Sequence, residues 1–340
     1  MSLFALWLAA SPMHLPPMPE PVSNNAVAKV VSEGVPYVLS FSGLGPDKDY
    51  RAVHNRAWAL PLTDDGQWRA LESVPGQGRL ASVAVGLGAD AYLFGGYTVE
   101  ADHSEVSLPD VHRFTLGQGY QPLAPMPVPV DDAVALVYQQ RYIYLVSGWH
   151  NDGNVNLVQL YDTQTDRWTQ ASPFPGVPVF GHSGALLGNT LLVCDGVKVV
   201  YHDNRRRGFA PEAACYLGSI DKDNPTRIDW RLAPHHSGTA RYRMAAAAVA
   251  ERNELWFVGG THSPYNYDGT GYDGVAAHPS ERISVYSLTD GRWRNLASTQ
   301  ASMDHRGAVQ QGDRLLVPGG MGPGQEVLTE VRQIPLSGGD

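Results

Sequence analysis

The chain has 340 residues, 43% of them hydrophobic and only 17% charged, with 36 Gly and 25 Pro. This composition excludes a disordered chain and a coiled coil, and without a Gly-x-y period it excludes a collagen-like rod. There are 25 basic against 34 acidic residues, and the net charge of −9 excludes a basic nucleic-acid footprint spread over the surface.

At the N-terminus, Leu3 to Ala10 is an apolar run with no Lys or Arg before it, too short to span a membrane. It reads either as a strand that packs into the fold or as the remnant of a cleaved signal. The second reading would make the protein periplasmic, the first cytoplasmic. From residue 37 onward one pattern recurs: an apolar predicted strand that runs into a glycine doublet or its near-equivalent. In order these are Tyr37 to Gly43, Ala91 to Gly96, Tyr142 to Gly148, Leu191 to Gly196, Leu255 to Gly260 and Leu315 to Gly320. Their ends are spaced by 53, 52, 48, 64 and 60 residues, so six units of about 50 residues fill the chain.

Downstream of the doublets, Tyr161 stands seven residues before Trp168 and Tyr286 seven before Trp293, each across a polar turn. Trp68 and Trp230 take the same place in units one and four. The pattern resembles the kelch motif over roughly residues 20–336. It predicts an all-β fold, a six-bladed β-propeller of four-stranded antiparallel blades, as one domain over residues 1–340. Small side chains such as Ala245 to Ala248 suit the narrow axis, and Tyr and Trp suit the wider space between blades. After Gly319-Gly320 only one clear strand remains, Val327 to Ile334, so blade six lacks its outer strand. An N-terminal segment, Leu3 to Ala10 with Trp7 or part of Leu15 to Val22, is expected to close the ring and cover the open edge.

The two cysteines, Cys194 and Cys215, make neither a disulfide framework nor a four-thiolate zinc site, and one bridge between them stays open. No His-x-x-x-His spacing occurs, and Asp102-His103 with Asp110 and His112 form only a loose loop cluster. Neither a metal nor a cofactor is therefore expected.

Functional residues should come from the loops that enter the inner strands and those that follow the doublets, because both sets converge on one mouth of the channel. The entering loops carry Asn24-Asn25, Arg79, Asp131-Asp132, His182-Ser183, Arg241-Tyr242-Arg243 and His305-Arg306, too polar a set for packing alone. Arg79 and Arg306 offer planar guanidinium groups for a carboxylate, or else pair with Asp131 or Asp132 across the channel. His182 and His305 are candidate acid–base groups. Asp132 and Arg243 are candidate ligand contacts. After the doublets come Trp149, His150, His262, Tyr265 and Tyr267; the aromatic members could stack on a sugar ring. Arg205-Arg206-Arg207 reads as a solvated loop tip. Taken together, these residues predict a locally basic mouth.

Within kelch propellers the chain resembles the bacterial N-acetylneuraminate epimerases, also called sialic acid mutarotases. The residues that carry the resemblance are Leu15-Pro16 through Pro21, Phe41 to Gly45, Trp68-Arg69-Ala70-Leu71 through Pro75-Gly76 and Arg79, and Ala91 to Gly96. The long loop with Tyr265-Asn266-Tyr267 and the placement of Arg306 add to it. The resemblance implies a mutarotase or epimerase, an isomerase that opens a hemiketal sugar ring with an acid and a base while an Arg holds the substrate carboxylate. The family places a catalytic Glu directly after the blade-four doublet, where this chain has Val197. Asp195, Glu212, or one of the histidines would have to stand in. The implied partner is a small sugar or sugar acid; the alternative is a non-catalytic module that binds a protein or glycan partner through the same mouth. Neither reading involves nucleic acid or a membrane span.

Overall fold

The structure is a computed structural model and describes residues 14–202 and 207–336. It is an all-β six-bladed propeller in which strand follows strand from the axis outward within every blade. Blade one holds Ala26–Ser32, Val35–Leu44, Val53–Pro61 and Arg69–Ala70. Blade two holds Val83–Leu87, Asp90–Phe94, Val111–Thr115 and Gly119–Pro122. Blade three is Val134–Tyr138, Tyr142–Val146, Val158–Asp162 and Arg167–Gln170. Blade four is Ser183–Leu187, Thr190–Cys194, Cys215–Ile220 and Ile228–Ala233. Ala245–Val249, Glu254–Val258, Ser280–Ser287 and Arg292–Ser302 make blade five. Blade six has three strands among the described residues, Val309–Gln311, Arg314–Pro318 and Val331–Pro335. No helix among them is long and apolar enough to cross a membrane.

Each blade is two-faced, so apolar side chains alternate onto both neighbours, and six buried clusters fill the six blade boundaries. Between blades one and two, for example, Ala26, Ala28, Leu39 and Phe41 meet Ala84, Leu93 and Phe114. The Tyr and Trp of the repeat are opposite partners on neighbouring strands: Tyr161 faces Trp168 and Tyr286 faces Trp293, with rings 4.9 and 5.0 Å apart. Each Trp then spends its indole N–H on the chain arriving from the preceding blade. Trp168 donates to Ala124 O (2.9 Å), Trp230 to Ser172 O (3.4 Å) and Trp293 to Pro234 O (2.7 Å). These residues are the mortar of the blades.

Trp68 donates in the same way to Pro16 O, 3.1 Å away, so the segment before blade one occupies the place of an interblade connection. Leu15, Met18 and Val22 pack with Val38 and Leu60 of blade one and Leu316 and Val331 of blade six. Met18 and Val22 donate backbone N–H to Thr329 O and Leu328 O, and Gly320 donates to Val22 O. The part of Leu15 to Val22 named in the sequence therefore joins the ends of the ring, as an extended segment and not as a regular strand. Leu3 to Ala10 lies outside the described residues.

Cys194 and Cys215 stand directly opposite each other on the two central strands of blade four and form a disulfide. At the doublets the backbone takes positive φ because the chain crosses close to the entry of its own inner strand. A Cβ on Gly96 (φ 91°) would lie 2.3 Å from Ser82 Oγ and 2.6 Å from Leu80 O.

Candidate functional site

Six isolated bridges tie the residue entering each inner strand to the residue after the doublet of the same blade. They are Ser23 with Leu44, Leu80 with Tyr97, Asp131 with Trp149, Phe180 with Val197, Tyr242 with Thr261 and Met303 with Met321. The two loop sets thus do share one face. Immediately inside the bridges lies a ring of left-handed residues, one per blade: Asn24, Ala81, Asp132, Gly181, Arg243 and Asp304, all with φ between 50° and 65°.

This conformation turns the backbone so that neighbouring blades bond to one another around the axis. Asn24 N donates to Asp304 O, Asp132 N to Ala81 O, Gly181 N to Asp132 O, Arg243 N to Gly181 O and His305 N to Arg243 O, at 2.7–3.2 Å. The remaining link comes from a side chain: Ala81 N donates to Asn24 Oδ1 at 2.6 Å. The left-handed form is unfavourable for a side-chain-bearing residue, and the closed circle of bonds holds it in place.

The ring side chains form a buried ion network. Arg243 donates to Asp132 (2.6 and 3.2 Å) and to Asp304 (3.0 Å), and Arg306 also pairs with Asp132. Asn24 Nδ2 and the Tyr265 hydroxyl donate to Asp304, each at 2.9 Å. The Arg243 guanidinium lies over the rings of Tyr242 and Tyr265, 4.7 and 5.2 Å from their centroids. Burial by itself would raise the Asp132 pKa, but Arg243 and Arg306 outweigh it and bring it below the usual carboxylate value. Two compartments result. A channel of about 450 Å³ runs below, walled by inner-strand residues such as Val85, Ala135, Ala185 and Ala247. A separate cavity of about 400 Å³ lies above.

The upper cavity is walled by the hairpins that follow the doublets of blades two, three and four, together with the long loop of blade five. Tyr97 and Glu105 come from blade two, and Trp149 and Asp152 from blade three. Phe180, Arg207 and Phe209 come from blade four, and Tyr265, Tyr267 and Tyr272 from blade five. Asp131, Asp132 and Arg243 reach it from the floor. The rings interlock: Trp149 lies 5.4 Å from Phe180 and 5.8 Å from Phe209, and Phe209 lies 4.2 Å from Tyr272.

Three carboxyl groups here have no cationic partner among the described residues, Asp152 at the rim and, deeper, Asp131 and Glu105. Asp131 Oδ2 accepts from Ser107 Oγ at 2.6 Å. Burial pushes its pKa well above the carboxylate range, Asp132 and Glu105 add to the rise, and Ser107 and Arg243 oppose it. Glu105 opens into the cavity, where enclosure by the walls and the charge on Asp132 raise its pKa against the pull of Arg243 and Arg207. Among the described residues the mouth expected to be basic is rich in acid, because Arg243 is committed to aspartates and Arg207 is the one cavity cation without a carboxylate partner.

Of the residues singled out in the sequence, the cavity brings together Asp131, Asp132, Arg243, Trp149, Tyr265 and Tyr267. The others sit elsewhere. Arg79 is buried against the blade-two wall, pairing with Asp110 (3.2 Å) and donating to Pro75 O (2.8 Å), instead of reaching Asp131 or Asp132. Arg306, which does meet Asp132, lines the lower channel, as do His182 and His305. His182 Nε2 bonds to Val146 O at 2.9 Å, and burial lowers its pKa to about 4. His305 bonds to Arg332, and burial with that guanidinium and Arg306 holds it well below its ordinary value. His150 bonds to Pro129 O and His262 to Ala240 O, both away from the cavity lining. Glu212 pairs with Lys198 across the blade-four hairpin at 2.6 Å.

Asp195 is buried in a cluster with His235 and His236, whose ligand atoms all lie within 4.8 Å. The bonding is that of a hydrogen-bonded hub, not a metal cradle. Gly238 N donates to His235 Nδ1 at 2.7 Å, so the His235 proton sits on Nε2, which donates to Asp195 at 2.5 Å. A metal-bound imidazole needs the opposite arrangement, with its outer nitrogen as the donor. His236 Nε2 and Arg241 N complete the set at 2.7 and 2.9 Å. Burial tends to raise Asp195, but the two imidazoles keep its pKa low, while burial lowers that of His236. Asp102, His103, Asp110 and His112 do not form a common site: Asp102 bonds Ser104, His103 bonds Tyr267, and Asp110 meets Arg79.

Comparison with known proteins agrees with the architecture. No family model matches the chain. It is 24% identical over 351 residues to the N-acetylneuraminate epimerase of Salmonella arizonae, covering 90% of this chain and 86% of that protein. The chain resembles the N-acetylneuraminate epimerases along most of its length. The enzyme of the same name from Salmonella typhimurium is 21% identical over 371 residues, covering 96% and 91% of the two chains. Kelch domain-containing protein 3 of Rattus norvegicus matches at 25% over 199 residues, 54% of this chain and 49% of the relative. The solved structure titled "Structure of YjhT" superposes with a TM-score of 0.73 at 17% identity, covering 93% of this chain and 95% of the other, and shows the same fold.

Glu105, Phe209 and Tyr272 are cavity residues that sequence reasoning did not place there. Glu105 belongs to a short strand, Glu105–Ser107, that pairs back onto Tyr97–Val99. The available signal was Tyr97 followed ten residues on by Ser107, with a polar turn between them, which marks a hairpin rising from the mouth.

Proposed function

We propose that the protein is mutarotase-like and takes a cyclic sugar into the upper cavity, where Asp131 and Glu105 act as the acid–base pair of ring opening. The observation that carries this is two carboxyl groups with raised pKa facing an aromatic-walled space, neither neutralised by a cation. Mutarotation needs one group to remove the anomeric hydroxyl proton and another to protonate the ring oxygen. Asp131, whose pKa is raised the more strongly by burial, is suited to give a proton, and Glu105, raised less, is suited to take one. Ring closure on the other face of the carbonyl returns both protons and gives the second anomer.

Trp149, Phe209 and Tyr272 line the cavity and give it apolar wall against which a pyranose ring can pack. The relatives' name makes N-acetylneuraminate the first sugar acid to assay, and Arg207 is the cation at the rim placed to meet its carboxylate. Arg207 donates to Asp152 O and lies over Trp149 and Phe209 at 5.1 and 5.8 Å, and among the described residues it forms no ion pair. The test is exchange between anomers followed by NMR on N-acetylneuraminate and common aldoses. Acceleration over buffer is the expected result; exchange at the buffer rate for all of them would refute the catalytic reading.

A second reading is favoured by the apolar side chains on these loops. Val106, Tyr201, Tyr272 and Val275 are all more than two-fifths exposed. They would suit a module that docks a protein or glycan on the mouth. Replacing Tyr201 and Val275 by Ser would then abolish capture of that partner and leave sugar exchange unchanged.

A further inference from the structure

The charges of the upper cavity do not balance, and the imbalance says what its ligand carries. Arg243 and Arg306 are offset by Asp132 and Asp304 inside the floor. Among the described residues, what remains facing the space is Asp131, Glu105 and, at the rim, Asp152, against the guanidinium of Arg207. Asp131 is 3% exposed, and its Oδ1 receives no hydrogen bond from the described residues. A carboxyl group that lines the cavity with one oxygen left without a donor can accept a hydrogen bond from the ligand. The cavity is also lined by the rings of Tyr97 and Tyr267, and aromatic faces attract a cation.

We infer that the cavity selects a sugar bearing a free ammonium group beside its anomeric carbon, a 2-amino-2-deoxyaldose. The inference rests on the sugar-binding reading above and names the substrate class. In such a sugar the amine on C2 and the hydroxyl on C1 are neighbours, so one carboxylate can accept a hydrogen bond from both. The group that removes the anomeric proton would thereby also hold the ammonium. An N-acetyl group in the same place is uncharged and leaves the carboxylates without a counter-ion. A carboxylate-bearing sugar brings a like charge into the acid-rich space unless it stays at the rim with Arg207. Bound ammonium also favours the ionised form of Asp131 and Glu105, so binding displaces a proton from the pair.

The experiment titrates the full chain at pH 6.5 with D-glucosamine, N-acetyl-D-glucosamine, N-acetylneuraminate and ethanolamine, following binding by calorimetry and anomer exchange by NMR. Glucosamine is expected to bind about tenfold more tightly than its N-acetyl form. In Glu105→Gln, whose side chain lies at the open cavity surface, the preference should shrink to about twofold or less with an unchanged circular dichroism spectrum. Equal binding of the two aminosugar forms, tighter binding of N-acetylneuraminate, or ethanolamine binding as well as glucosamine would each overturn the inference. Accelerated anomer exchange without amine preference refutes it and leaves the ring-opening reading standing. Amine preference without accelerated exchange of any sugar supports it and removes the catalysis. No binding of any sugar overturns both.

Discussion

Replacing Arg243 by Met tests whether the ion network is what holds the mouth floor together. The side chains of Arg243, Asp132 and Asp304 are 2%, 2% and 0% exposed, so the change leaves two buried carboxylates short of their shared cation. Removing one member of a buried pair typically costs about 3–5 kcal/mol. Here Asp132 keeps Arg306, and Asp304 keeps Asn24 and Tyr265, which puts the expected loss near the lower end, about 3 kcal/mol. Urea unfolding at pH 7 measures it. The same change at Arg51, an exposed residue paired with Asp49, should leave the midpoint unmoved.

The pH dependence supplies a second readout. In the wild type the depressed Asp132 pKa means its stabilisation is fully present above the unfolded carboxylate value, about 3.9, and is lost as pH falls through the folded value. Without Arg243 the burial effect gains weight, the folded pKa rises, and the acid loss moves to higher pH. Adding Asp132→Asn should recover part of the stability by removing one stranded charge. A loss below about 1 kcal/mol at pH 7, or an unmoved acid limb, would refute the assignment of the network as the floor's main support.

Three further outcomes are expected. His54 and His182 are buried with pKa values lowered to about 4, so the unfolded chain binds their protons first and stability declines as pH falls from about 6.5 towards 4, by roughly 3 kcal/mol for each. His54→Leu should flatten that decline in pH-dependent urea melts. The Cys194–Cys215 disulfide spans 21 residues, and replacing both with Ala should lower unfolding free energy by about 3 kcal/mol; an unchanged denaturation midpoint would show that the strand pairing suffices. If ring opening is the reaction, Asp131→Asn and Glu105→Gln should each slow anomer exchange by about 10²–10⁴-fold, and in the wild type the rate should fall as acid protonates Glu105.

The blades were legible in the sequence because their spacing is imposed by packing. Gly-Gly, Tyr and Trp recur at fixed offsets since each repeat meets the same neighbours, and the Trp168, Trp230 and Trp293 indoles all make the same bond. The joining of the ring near Leu15 to Val22 followed from the missing strand of blade six. The candidate site was less legible. Arg79 and Arg306 were conspicuous as guanidinium groups, but sequence does not show that Asp110 and Asp132 await them. His182 and His305 lie in line with the mouth residues along the chain, yet a step of one residue in a strand sends the side chain to the other compartment. Glu105 and Tyr272 sit on excursions of irregular length, where no period exists to align them.

The circle of bonds through Asn24, Ala81, Asp132, Gly181, Arg243 and Asp304 works as a bulkhead. The spaces above and below it share no lining residue. The amides committed to the bulkhead belong to six different blades and can open only if the propeller itself parts, which should make them among the slowest to exchange with solvent deuterium. The hairpins above it can be exchanged or lengthened without loosening the hub, and the chemistry at the mouth is free to change on a closed and unaltered wheel.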